Sequence, residues 1–393
     1  MGKREGDCLI EHLNRLNIKE TRRSIYFLCL FLMIGILVGC EKEKITHPHV
    51  ESSHLPFSKV NPGPAFLGKE VIPIQTLEGT FSEIVGWLSN QSILYITNLG
   101  QESYLYAYDL STGKSSLVYQ TEFPIVTADI SPQRKKILIH TAPSSYTGKL
   151  TVIETDGKLL YETDIESIEL SFSWNGESEQ KLLVTAFYED WSYRTFILDT
   201  EIKEISEIDL PQPFLEWPKD NEILYLDWEE ENISLTAPLV KKNIITGKEE
   251  VVLAAGHYLD FIDQSVLVVS ADQDNDKQAN YVVMDQNYNE ISSFHAPQLS
   301  VFSGWLVPYY DVLESSSSLL YLRPYKSGEA DVYNEGFTLT ERSFEDGNET
   351  ILMEQVENEP LECSPNGAMC LYGYQLEKII DLKEREIINL LDY

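Results

Sequence analysis

Three groups of residues in this chain carry chemistry by type and spacing. The first is Ala271-Asp272-Gln273-Asp274-Asn275-Asp276, with carboxylates at every second position. In a turning loop such spacing brings three oxygens towards one point, as a hard Ca²⁺ ion requires. Asp272, Asp274 and Asp276 are therefore candidate calcium ligands, against a solvated hairpin loop as the alternative. Lys277 stands where a calcium loop wants glycine for its sharp turn, and Val283 where it wants a bidentate glutamate. Apart from this calcium site, no cofactor is expected. The second group is Cys363 and Cys370, flanking Ser-Pro-Asn-Gly-Ala-Met. A hairpin looping at Pro365–Ala368 sets the two sulfurs opposite each other for a disulfide. A two-residue turn at Pro365-Asn366 misaligns them and leaves two buried thiols. With no second cysteine pair or nearby histidine, zinc is not expected. The third group is aromatic and acidic: Tyr188, Glu189, Asp190, Trp191 and Tyr193, then Asp227 and Trp228, then Tyr325. Exposed aromatics beside carboxylates make a recognition surface for basic proteins or sugars, or else a charged rim that keeps the protein soluble.

What is missing narrows the chemistry. No G-x-S-x-G, H-E-x-x-H, phosphate-loop or G-x-G-x-x-G motif occurs. His140, His257 and His295 lie whole repeats apart, and His140 ends an apolar run, as a packed core histidine does. No catalytic set is assigned. The balance of 30 Lys+Arg against 63 Asp+Glu gives a formal charge of −33. Phosphate backbones repel such a surface, so nucleic acid is not an expected partner. Ordinary hydrophobic, aromatic and charged fractions (43%, 11% and 24%) exclude wholesale disorder.

The first forty residues carry an address. Lys19, Arg22 and Arg23 precede an uncharged run from Ile25 to Val38, which stops at Gly39-Cys40-Glu41-Lys42. That run is shorter than the roughly 20 residues needed to cross a bilayer, and it fits the apolar core of a secretory signal. Leu37-Val38-Gly39-Cys40 resembles the lipobox of bacterial lipoproteins. The resemblance implies a signal peptide over 1–39, cleavage before Cys40 and lipidation of its sulfur. Cleavage there removes six basic and four acidic side chains and leaves 24 Lys+Arg against 59 Asp+Glu. Residues 40–68 then form the lipidated cysteine and a tether bearing Pro48, Pro56, Pro62 and Pro64. On a coil estimate that tether reaches roughly 30 Å. Its histidines His47, His49 and His54 are expected to be solvated.

The elements that must position the candidate residues form one repeat. An apolar quartet recurs at Ile93-Leu94-Tyr95-Ile96, Ile137-Leu138-Ile139-His140, Leu182-Leu183-Val184-Thr185 and Ile223-Leu224-Tyr225-Leu226. It returns at Val266-Leu267-Val268-Val269, Leu319-Leu320-Tyr321-Leu322 and Cys370-Leu371-Tyr372-Gly373. The intervals are 44, 45, 41, 43, 53 and 51 residues. A strand repeat of this length predicts an all-β propeller of four-stranded antiparallel blades, with each quartet buried as a second strand. Trp87, Trp174, Trp217 and Trp305 are placed at the ends of first strands, packing between blades. Lys69–Leu77 is expected to pair into the last blade and close the ring. Residues 69–393 are thus read as a single domain, and the protein as a monomer.

The lipobox, the proline-rich tether, and turns such as Ser131-Pro132-Gln133, Trp174-Asn175-Gly176 and Asp109-Leu110-Ser111-Thr112-Gly113-Lys114 together resemble the YqgU-like propeller lipoproteins of Gram-positive bacteria. A more distant likeness is to the propeller of TolB. The resemblance implies six blades, whereas the quartets count seven; the 53-residue interval is the least regular and marks the unit expected to fall short of a full blade. The expected role is a lipid-anchored binding module on the extracytoplasmic side of the cell membrane, with an envelope protein or glycan as partner. The alternative is a propeller enzyme using channel-lining carboxylates on cell-wall glycan or peptide.

Overall fold

The computed structural model describes residues 71–75, 78–229, 234–271, 275, 277–302 and 304–391. Among them, the quartets behave as their composition dictates. Every one of the 28 quartet residues is buried, because each second strand is covered on both faces. Seven four-stranded antiparallel sheets result, and we number them as blades 1–7 over residues 80–121, 125–166, 169–208, 216–256, 258–297, 310–356 and 361–389.

Alternate residues of each second strand point into opposite seams, as the strand period of two requires. In blade 1, Ile93 and Tyr95 join the cluster shared with blade 7, whereas Leu94 and Ile96 join the cluster shared with blade 2. The same split continues round the molecule, and the seven apolar clusters occupy the seven seams, one each. A seam between blades 7 and 1 means that the ring is closed. Strand direction then defines two faces. Turns joining first to second and third to fourth strands form a turn face, while the second-to-third loops and the connections between blades form a loop face.

Both long intervals contain full blades. Their extra residues build a small sheet outside the ring, where the hairpin Leu299–Val301 and Gly304–Leu306 pairs with Gly328–Glu329 from blade 6. This corrects the placement of Trp305. It sits in that hairpin, edge-on to His257 at 4.5 Å, and Val312 occupies the first-strand position in blade 6. Trp87, Trp174 and Trp217 do end first strands and are buried in seams.

The entering segment also differs from expectation. Blade 7 supplies all four of its own strands, and the segment adds no strand to it. Residues 71–74 instead lie along blade 1, with the Ile72 amide donating to Leu110 O, and end in one parallel bridge between Ile74 and Leu391. The ring is fastened nearer its axis, where the Ile84 amide donates to Gln375 O at 3.0 Å. Cys40, the lipobox and residues 40–68 lie outside the described residues.

Candidate functional site

Strand register exposes a position that sequence spacing concealed. The second quartet residue is a leucine in every blade, and its partners on the first strands are Gly86, Asp129, Ser173, Glu216, Asp260, Asp311 and Glu362. Five of the seven are acids, contributed by blades 2, 4, 5, 6 and 7. First strands contact one another around the axis, so these acids gather there. Together with Asp263, Glu314 and the single cation Arg134, they line an axial cavity of about 590 Å³ that opens on the turn face.

Most of these acids are held by the following blade. The Cys363 amide donates to Asp311, the Trp87 amide to Glu362 Oε1 at 3.1 Å, and the Tyr310 hydroxyl to Asp260 Oδ2 at 2.5 Å. Asp129 lies beside the Trp174 indole. Glu216 differs: among the described residues its side chain receives only the Ser173 hydroxyl of the preceding blade, at 3.4 Å. Burial raises the proton affinity of Asp129, Glu216, Asp260, Asp263, Asp311 and Glu362. It pushes Asp129 and Asp263 up to about 6 and Glu362 to about 7. Glu216 and Asp311 rise well above the usual carboxylate range, through burial first and then a neighbouring acid, Asp260 and Asp263 respectively.

The loop face has a different character. All eight exposed aromatics among the described residues lie on it. Phe123, Phe214, Phe302 and Tyr309 come from connections between blades, and Tyr146, Trp191, Tyr325 and Tyr374 from second-to-third loops. Phe302 is fully exposed at the tip of the outer hairpin, and Trp191 is 87% exposed with a left-handed φ of 65°. Exposed apolar residues in turns on the other face are aliphatic, such as Ile202 and Ile245.

The residues singled out from sequence share this face but fall into three places. Tyr188, Glu189 and Asp190 border a shallow hollow of about 430 Å³ with Tyr146 of blade 2. There the Tyr146 hydroxyl donates to Glu189, and Asp190 caps the turn by accepting from Ser192. Tyr193 lies beside this hollow, its hydroxyl donating to Leu210 O. Trp228 walls a separate slot of about 270 Å³ between blades 4 and 5, near the exposed Asp227. Tyr325 stands on blade 6, where its hydroxyl accepts the Gln355 amide. Apart from Glu216, which also borders the Trp228 slot, the axial acids face the cavity that opens at the other end of the axis from the aromatic loops.

His140 is buried against the edge of Phe172, and burial lowers its pKa. Cys363 and Cys370 are directly opposed in register with their sulfurs 1.97 Å apart. Asp272, Asp274 and Asp276 lie outside the described residues. No group of three or more His, Cys, Asp or Glu is arranged to hold a metal among the described residues.

Comparison with known proteins matches this architecture. The lipoprotein YqgU of Bacillus subtilis (strain 168) is 26% identical over 369 residues, covering 94% of this chain and 97% of its own. The crystal structure of lmo1340 from Listeria monocytogenes EGD-e superposes with a TM-score of 0.76 at 24% identity, covering 82% of this chain and 98% of that one. TolB from Acinetobacter baumannii is a more remote neighbour, with a TM-score of 0.37 at 12% identity over 59% of this chain and 58% of its own. A family model described as a YqgU-like 6-bladed beta propeller domain matches residues 109–373; strand pairing in this chain gives seven sheets of four. On that match the chain belongs to the YqgU-like β-propeller family.

Proposed function

We propose that this protein is a lipid-anchored propeller of the cell envelope, held at the extracytoplasmic side of the membrane through Cys40, and that it docks a partner protein on its loop face. The observation that carries this reading is the one-sided distribution of exposed aromatics, all on the loop face and contributed by blades all round the ring. Aromatic side chains bury much area for little lost rotamer freedom, which is why they anchor interfaces. Acids accompany them, with Glu189 and Asp190 in the blade 3 loop and Asp227 and Glu229 in that of blade 4, so a basic partner surface is favoured. The lipoprotein relative in Bacillus supports the anchor. Residues 71–74 run beside the third-to-fourth turn of blade 1, on the turn face.

The test is affinity capture from detergent-solubilised membranes. The protein, a Trp191→Ser/Phe302→Ser/Tyr374→Ser variant and an Ile202→Ser/Ile245→Ser variant are compared. The reading expects a protein retained by the first and third and lost by the second; equal retention by all three would contradict it.

A second reading, turnover of wall glycan or peptide, draws on the axial acids. Asp129 and Glu362, at about 6 and about 7, lie where a general acid is effective near neutral pH. Release of fragments from purified cell wall, lost in Glu362→Gln, is the result that reading requires.

A further inference from the structure

The slot between blades 4 and 5 opens on the loop face, and its walls are Phe214, Leu226, Trp228, Tyr258 and Leu259. Glu216, the first residue of blade 4, lines both this slot and the axial cavity. The position it occupies is the one whose acid elsewhere in the ring reaches the following blade. Asp260, Asp311 and Glu362 each accept a hydrogen bond from that blade. Glu216 accepts none from blade 5, whose Phe261 amide is used by Asp260 of its own blade. No lysine or arginine pairs with Glu216 among the described residues. Half-buried and lacking both a cation and its seam clamp, Glu216 holds its proton more tightly than an ordinary carboxyl, and a cation entering the slot would draw it to the carboxylate.

We propose that this slot receives the side chain of a lysine or arginine presented by the partner protein, with Glu216 as the counter-ion. A volume of about 270 Å³ accommodates one such side chain. Its alkyl stem packs on Leu226 and Leu259, and its charged head lies among the Phe214, Trp228 and Tyr258 rings, whose faces attract cations. His257 does not compete for the carboxylate. Its Nδ1 meets Leu235 O at 2.8 Å and its Nε2 lies 3.4 Å from the Trp305 amide, so both ring nitrogens are engaged elsewhere. This inference rests on the docking reading above and names the chemistry that the partner must present.

The experiment uses the full chain in detergent micelles with fluorine-labelled tryptophan, and the probes are n-butylguanidinium, n-butylammonium and neutral n-butanol. Saturable shifts of the Trp228 resonance with the two cations, and not with butanol, are expected. Glu216→Gln should weaken cation binding at least tenfold, whereas Ile245→Ser on the turn face should leave it unchanged. Equal shifts from butanol, or unchanged affinity in Glu216→Gln, would overturn the proposal. Should Glu216→Gln fail to fold, Trp228→Leu provides the second arm, and cation affinity unaltered by it counts against the slot. Cation binding with no partner lost from the loop-face variant sinks the docking reading alone. Loss of the partner without cation binding sinks the slot alone.

Discussion

The carboxylate of Glu362 in blade 7 lies directly over Gly86 in blade 1, where a Cβ added to the glycine would meet Oε1 at 2.7 Å. The neighbouring Trp87 returns the contact, its indole Nε1 donating to Glu362 O at 2.9 Å. The first and last blades are therefore joined at the axis by an acid that uses space only glycine leaves free.

Gly86→Ala tests that joint. Its φ of 154° is one that side chains rarely adopt, and the added methyl collides with a carboxylate already fixed by an amide. A loss of about 2 kcal/mol is expected, from strain and displaced hydrogen bonding together. Urea unfolding measures it, and a change under about 0.5 kcal/mol, the size of an ordinary surface substitution, would contradict the account.

The buried acids give stability a pH dependence of known sign. Their folded proton affinities exceed the unfolded ones, so the folded chain holds more protons between roughly pH 4 and 7. Their contribution is best at the acid end of that window and is lost as pH rises through about 6 for Asp129 and about 7 for Glu362. Each shift is worth up to about 3 kcal/mol. Asp129→Asn and Glu362→Gln should each flatten the decline in urea midpoint between pH 5 and pH 8. An equally steep decline in both variants would show that the axial acids are not its source.

Cys363 and Cys370 join neighbouring strands of the closing blade across a separation of seven residues. Cross-linking so short a loop contributes about 2–3 kcal/mol on the chain-entropy account. Addition of dithiothreitol should lower the unfolding midpoint of the protein and leave a Cys363→Ala/Cys370→Ala variant unmoved. Identical responses of the two would argue against a bond.

Trp191 combines a left-handed backbone with near-complete exposure, a conformation that costs a bulky residue of order 1 kcal/mol. No packing of the Trp191 ring among the described residues offsets that cost. Trp191→Gly should therefore raise stability by about 0.5–1 kcal/mol while weakening partner capture. A loss of stability would assign Trp191 a structural role.

The blades were legible because each quartet is a run of apolar residues with no competing pattern, and burial on both faces demands that. The axial acids were not. Their separation from the paired leucine ranges from seven residues, Asp260 to Leu267, to nine, Asp129 to Leu138, because turn lengths and bulges differ between blades. Aligning each acid upstream of a quartet against its second residue would have shown the ring only with register in hand. Trp305 misled for a related reason: a hairpin inserted between blades 5 and 6 ends in the same apolar-aromatic signature as a first strand. The loop face was partly legible, since Trp191 stood beside Glu189 and Asp190, and Tyr325 followed Pro324 in turn-like sequence. Phe302 has no acid near it in sequence, and Phe214 lies in a connection between blades rather than in a second-to-third loop, so both were missed.

Site-specific photocrosslinking in intact cells addresses the central claim most directly. A benzophenone amino acid is placed at Phe302 on the loop face and, in a separate strain, at Ile245 on the turn face. The account predicts a discrete adduct with a basic protein from position 302 and none from position 245. Adducts from position 245 alone, or the same set from both, would contradict it.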